Sequence, residues 1–150
     1  MVPEHVKPMH ILLVEDNPGD VRLTQEALKE NKILVNLDVV NDGLEAMAFL
    51  KRKAPYTEAA CPDLILLDLN MPRKDGRAVL TEIKNDPVLR RIPVVILTTS
   101  SAESDILKTY DLHANACVTK PLDLEQFSNI TKSIEEFWLT ITKLPSRCQI

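Results

Sequence analysis

Three acidic residues, a threonine and a lysine stand where a fold could gather them, although they are scattered through the 150-residue chain. Asp68 follows four large aliphatics, Leu64-Ile65-Leu66-Leu67, and a polar loop closed by Pro72 comes directly after it. Glu15 and Asp16 follow Ile11-Leu12-Leu13-Val14, Thr98 follows Val94-Val95-Ile96-Leu97, and Lys120 follows Ala116-Cys117-Val118-Thr119. Apolar runs this short, bounded by turn signals, suit strands buried on both faces. Such strands belong to parallel α/β sheets, which place their chemistry at the carboxyl ends of the strands. The five residues are therefore expected to meet at one edge. Three carboxylates in one crevice raise each other's proton affinity unless positive charge is supplied. Lys120 supplies one charge and a divalent cation suits the rest. An all-oxygen set with no histidine or paired cysteine nearby favours Mg2+ over zinc. Carboxylate, Mg2+, lysine and hydroxyl are the parts that phosphoryl transfer needs, and the nucleophile would be a carboxylate giving an acyl phosphate.

Each residue also has a plainer reading. Asp68 can cap a turn, Glu15 or Asp16 can cap the helix that follows, Thr98 can bond its own backbone, and Lys120 can be a solvated surface charge. Their shared position at strand ends is what favours a single site.

The elements that would position them alternate in type. Strands are expected at 10–14, 35–40, 64–67, 94–97 and 116–119. A first helix starts with Asn17 as cap and Pro18 in its first turn, and runs to about residue 31 with Val21, Thr24, Ala27 and Leu28 on one less polar face. Helices follow at 44–51 and 78–84, the latter stopped by Asn85-Asp86-Pro87. Ser100 with Glu103 forms a capping box for a helix to about residue 112. Asp123 caps a last helix carrying Leu124, Phe127, Ile130, Ile134 and Phe137. Five alternating strand-helix units imply a parallel sheet with helices on both faces. Residues 52–62 form a long connection between the second helix and the third strand.

Composition narrows the function classes. The net charge is −4, with no basic stripe, which argues against a nucleic-acid or anionic-membrane footprint. No apolar run reaches the length of a membrane-spanning helix. Hydrophobic residues make up 45% and aromatics only 4%, so the core is expected to be aliphatic. The length suits one domain. Residues 1–8 read as a tail without a signal-peptide apolar block. Cys61, Cys117 and Cys148 show no metal-ligand spacing and no obvious disulfide set, so a cytoplasmic location is expected.

The set Val14-Glu15-Asp16-Asn17, Leu66-Leu67-Asp68-Leu69-Asn70-Met71-Pro72, Asp75-Gly76, Thr98 and Thr119-Lys120-Pro121 resembles the receiver domain of two-component response regulators. The resemblance covers roughly residues 9–138. It implies a flavodoxin-like fold, a doubly wound five-stranded parallel sheet in the order 2-1-3-4-5 with five flanking helices. It further implies that Asp68 is the phosphoacceptor and a histidine kinase the donor. Glu15, Asp16, Asp68 and the carbonyl of Asn70 would hold Mg2+, Thr98 would hydrogen-bond the phosphoryl group, and Lys120 would offset its charge. A cis peptide bond before Pro121 is also implied. The runs at 110–117 and 134–146 look further like the response regulators that serve cyanobacterial phytochromes, which implies a light-sensing kinase as partner.

Three features depart from the commonest pattern of that family. Thr99 stands where a very small residue is usual, and it is expected to slow loss of phosphate. Cys117 replaces an aromatic residue that swings inward on phosphorylation in many members, and its plain reading is a small buried hydrophobe. The connection at 52–62 is longer than usual. Beyond residue 138, residues 139–150 read as an extension of the last helix and a tail. Phe137-Trp138-Leu139 puts large apolar groups on different helix faces, so a two-fold homodimer with contacts from Phe137, Trp138 and Ile141 is expected. Alternatively, Trp138 folds back over its own core.

The chain is thus expected to be a signalling phosphoacceptor, not an enzyme in the ordinary sense, with self-catalysed phosphorylation, slow dephosphorylation and output through protein-protein contacts. Two rivals stand beside that reading. An aspartyl-phosphate hydrolase wants an acid two residues after the nucleophile, where this chain has Asn70. A receiver-like scaffold that is never phosphorylated would have no use for the acidic set.

Overall fold

Continuous aliphatic runs become the centre of a parallel sheet. In the computed structural model the described residues are 8–30, 35–69, 76–98 and 116–119, with the single positions Glu125 and Asn129; at Glu30, Thr98 and 116–119 the backbone alone is described. The strands are β1 Met9–Val14, β2 Val35–Val40, β3 Leu64–Asp68, β4 Val94–Thr98 and β5 Ala116–Thr119. They pair in parallel in the order β2-β1-β3-β4-β5, as the resemblance implies. All five residues of β3 are buried, as befits a central strand with cover on both faces.

The helices are α1 Pro18–Glu30, α2 Gly43–Leu50 and α3 Gly76–Asn85. Alternate residues of the strands feed two cores. On one face Leu12, Val14, Ile65, Leu67, Val94 and Ile96 pack with Ala46, Phe49 and Leu50 of α2 and Val79, Leu80 and Ile83 of α3. On the other, Ile11, Leu13, Leu64, Leu66, Val95 and Leu97 pack with Ala27 and Leu28 of α1, and Val21 lies partly buried against them. The helix expected near 100–112 lies outside the described residues, as does the peptide bond before Pro121; of the helix expected at 123–138 only Glu125 and Asn129 are described, both helical and exposed.

The start of each described helix has a local cause. Asn17 Oδ1 accepts the Asp20 N–H at 3.1 Å and so caps α1. Asp42 caps α2, its Oδ1 accepting the Glu45 N–H at 2.9 Å. The carboxylate of Glu45 reaches back to the Asn41 N–H at 2.8 Å, a close variant of the capping box. α3 begins two residues earlier than the apolar pattern indicates, because Gly76 docks closely on the backbone of Asp68 and Leu69.

The 52–62 connection is a series of turns pinned to α2. α2 ends in a Schellman motif: Arg52 N–H donates to Phe49 O at 3.1 Å and Lys53 N–H to Ala48 O at 2.8 Å. Arg52 itself has φ 54°, the left-handed conformation that glycine usually takes there. Further turns follow, from Tyr56 N–H to Lys53 O at 2.8 Å and from Ala59 N–H to Tyr56 O at 3.1 Å. The Ala54–Pro55 bond is cis. Tyr56, Ala59 and Cys61 rest against the α2/α3 core. One expectation is corrected in this segment. Cys61, the one cysteine whose side chain is described, is disulfide-bonded. Sequence spacing gave no sign of this, because bridging depends on Cα atoms approaching within about 7 Å in space.

Candidate functional site

Strand register brings the acids together. Val14 lies opposite Leu67, so the residues that follow, Glu15 and Asp68, leave the sheet level with each other. Alternation also puts both on the α1 side, in step with Leu13 and Leu66. Carboxylate oxygens of Glu15, Asp16 and Asp68 all lie within 4.8 Å of one another. Glu15 and Asp68 are buried, at 1% and 3% exposure, while Asp16 is exposed. Three anions this close, two of them withdrawn from water, call for a counter-charge.

Backbone pairing holds these residues beyond the ends of the strands. Glu15 N–H donates to Val40 O at 3.0 Å, extending the β1–β2 ladder by one step, and Leu69 N–H donates to Leu97 O at 3.1 Å, extending β3–β4 past Asp68. The side chain of Glu15 is held too, Oε2 accepting the Asn17 N–H at 3.4 Å. Gly76 closes the other side. Its N–H donates to Leu69 O at 2.9 Å, and its Cα sits so near the Asp68 carbonyl that a Cβ there would collide with that oxygen and lie 2.6 Å from Leu69 Cα. Only glycine lets α3 start against the backbone of Asp68.

The backbone of Thr98 is the last residue of β4, one step beyond the level of Asp68, and pairs with Thr119 of β5. Lys120 follows Thr119 directly in the chain, but it lies outside the described residues. So do Asn70, Thr99, Phe137, Trp138 and Ile141. The structure therefore gathers the three acidic side chains and the strand end that carries Thr98.

The donor chemistry fits a hard divalent cation. All three side chains offer oxygen, and Asp16 opens the cluster to water, which suits an ion that keeps part of its hydration shell. Among the described residues no other group of three metal-ligating side chains comes together.

The residues around the site that the sequence reading passed over are Asp42, Glu45 and Tyr56. Tyr56 Oη donates to Glu45 Oε1 at 3.1 Å, and its ring lies 5.3 Å from that of Phe49, tilted by 56°. Burial, and then the neighbouring Glu45 carboxylate, hold the Tyr56 hydroxyl pKa above its ordinary value. The Asp42–Glu45 spacing was a usable signal, since an acid followed three residues later by glutamate marks a helix start. The Tyr56 contact had none.

Comparison with known proteins bears directly on this geometry. The sequence profile of the response regulator receiver domain matches residues 11–132. Response regulator Rcp1 of Synechocystis sp. is 49% identical over 146 residues, which cover 97% of this chain and 99% of that protein. The crystal structure of the phosphorylated cyanobacterial phytochrome response regulator RcpA superposes with a TM-score of 0.77 at 54% identity, covering 93% of this chain and 100% of that one. The Mn2+-bound form of Rcp1 gives a TM-score of 0.76 at 50% identity with the same coverage. Neither the hydrolase nor the unphosphorylated scaffold is favoured by these likenesses. The chain belongs to the response regulator receiver family, within the group that includes the phytochrome response regulators.

Proposed function

We propose that the chain takes a phosphoryl group from a histidine kinase onto Asp68, with Mg2+ held at Glu15, Asp16 and Asp68 and at the carbonyl of Asn70. The observation that carries this reading is the closeness of the three carboxylates at the end of a buried β3, in a chain of the receiver family. An Asp68 oxygen forms the new P–O bond as the donor's P–N bond breaks, and the leaving imidazole nitrogen keeps the electron pair. Bound cation would neutralise charge between the carboxylates and the phosphoryl oxygens. Glu15 and Asp16 hold that charge in place, Thr98 donates a hydrogen bond to the phosphoryl group, and Lys120 balances the anion. The Mn2+-bound form of a relative at 50% identity supports a divalent ion at these positions. The chain's own catalysis of phosphate uptake and slow loss is part of the same reading, so it is a signalling protein rather than a metabolic enzyme.

The partner we propose is a phytochrome-type kinase, on the likeness to phytochrome response regulators. Cytoplasmic residence follows from that partner, because a histidine kinase needs ATP. Among the described residues no helix is long and apolar enough to cross a membrane. We further propose residues 9–138 as the receiver unit, 1–8 as a tail and 139–150 as the extended end of the last helix with a tail. That end would form a homodimer through Phe137, Trp138 and Ile141. Neither nucleic acid nor membrane is a partner in this reading.

The test is phosphotransfer from a phosphorylated phytochrome kinase. Wild type should be labelled stoichiometrically in Mg2+, and Asp68→Ala should take up no label while keeping its circular dichroism spectrum. Labelling of Asp68→Ala at the wild-type level would overturn the assignment. Molecular mass in solution, measured before and after labelling, tests the dimer.

A further inference from the structure

The proposed cation ligand Glu15 is joined to the 52–62 connection by hydrogen bonds that meet at the Val40–Asn41 peptide. Tyr56 Oη donates to Glu45 Oε1 at 3.1 Å, and Glu45 Oε2 accepts the Asn41 N–H at 2.8 Å. Glu45 N–H in turn donates to Asp42 Oδ1 at 2.9 Å. These bonds fix residues 41 and 42 directly after Val40. The Val40 carbonyl accepts the Glu15 N–H at 3.0 Å. Both oxygens of Glu45 are thus engaged, one on the turn that carries the Glu15 contact and the other on Tyr56. The Tyr56 ring has its own anchor, the Phe49 ring 5.3 Å away, and Phe49 is buried in the α2/α3 core.

We infer that Tyr56 is a positioning residue for the divalent-cation site, acting through Glu45 and the 40–42 turn on the backbone of Glu15. A ligand carboxylate held in place before the ion arrives loses less freedom on binding, and partners one shell out from a metal ligand often govern affinity. Asp16 follows Glu15 in the chain and inherits the same placement. The 52–62 connection therefore sets cation affinity from outside the pocket, and the tyrosine makes that contribution only while its hydroxyl is protonated and donating.

This inference rests on the cation reading of the acidic cluster. The experiment therefore measures Mn2+ binding to the whole unphosphorylated protein by the electron paramagnetic resonance signal of free Mn2+, for wild type, Asp16→Asn, Tyr56→Phe, Glu45→Ala and Tyr56→Phe/Glu45→Ala. Thermal unfolding without metal is recorded for each. Wild type should bind Mn2+ and Asp16→Asn should lose it; absence of wild-type binding defeats the cation reading itself, and this inference with it. Given wild-type binding, Tyr56→Phe should weaken it by about two- to fivefold, less than the roughly tenfold or more typical of groups that hydrogen-bond a metal ligand directly. Its melting temperature should stay within about 2 °C of wild type. The double variant should bind no more weakly than Glu45→Ala alone, because removing Glu45 already cuts the path. Contacting residues couple in any case; it is the loss of metal affinity at an unchanged melting temperature that mere loop packing does not produce. An unchanged Mn2+ affinity in Tyr56→Phe, whatever its melting temperature, or additive losses in the double variant, would overturn the assignment.

Discussion

Gly76 bears directly on the backbone of Asp68. The atoms that a Cβ at position 76 would strike, the Asp68 carbonyl oxygen and Leu69 Cα, belong to the backbone and cannot rotate aside. Relief requires α3 to lift from the end of β3. Overpacking of this kind costs about 1 to 3 kcal/mol. Gly76→Ala should therefore lower stability by that amount in urea unfolding. It should also slow phosphorylation at temperatures where the protein remains folded, since the carboxylate moves with its backbone. A core variant matched for stability, such as Ile83→Val, whose loss of one methyl group costs about 0.5 to 1.5 kcal/mol, should leave the phosphorylation rate unchanged. Equal rates in Gly76→Ala and wild type would show that the contact serves packing alone.

At the scale of elements, the part of the fold legible in the sequence is the part fixed by local pattern. β2 and β5 run over the residues expected, and β1, β3 and β4 differ by one residue at an end, because continuous aliphatic runs leave little choice of boundary. The acidic cluster was legible for the same reason, since each acid ends such a run. What escaped was set by contacts distant in sequence. α3 starts at Gly76 because it docks on Asp68. Tyr56 finds Glu45 because the connection folds back on α2. Cys61 is bridged through a pairing in space. The end of α2 lies within one residue of expectation, but its local cause was not legible, because Arg52 occupies the left-handed position with no glycine to signal it. That conformation costs a non-glycine residue roughly 1 to 2 kcal/mol, against a backbone-entropy penalty for glycine of about 0.5 to 1 kcal/mol. Arg52→Gly should therefore stabilise the protein by about 0.5 to 1 kcal/mol in chemical unfolding, whereas Arg52→Ala should not.

The segment after α3 carries a pH dependence of its own. Asp86 Oδ1 accepts the N–H groups of Val88 at 2.8 Å and Leu89 at 3.0 Å. These bonds, Leu89 first, hold its carboxyl below the ordinary value of 3.8. A lowered folded-state pKa adds stability that is present above the unfolded value and is lost as pH falls through the folded one. The stability difference between wild type and Asp86→Asn should accordingly be constant near neutrality and disappear on acidification below the ordinary carboxylate range. A difference that persists at the acid end would mean that the charge is not its source.

For the whole molecule, the decisive quantity is the charge gathered at one edge of the sheet. The chain carries a net charge of −4, and three of its carboxylates share one small region, two of them buried. Desolvated anions in mutual contact destabilise the folded state relative to an unfolded chain that separates them in water. A cation that binds only the folded protein reverses this by mass action, adding about 2.7 kcal/mol when its concentration is a hundred times the dissociation constant. For a domain of this size that corresponds to a rise of roughly 5 to 10 °C in melting temperature. Millimolar Mg2+ should therefore raise the melting temperature in a saturating manner, and EDTA should restore the starting value. Asp16→Asn should respond in neither direction, although it removes one of the repelling charges and should begin from a melting temperature at or above that of metal-free wild type. Monovalent salt at matched ionic strength separates specific binding from screening, because exposed charges are screened and the two buried carboxylates much less so. A wild-type melting temperature insensitive to Mg2+, or one that KCl raises equally, would show that the acidic edge is tolerated as it stands and is not built around an ion.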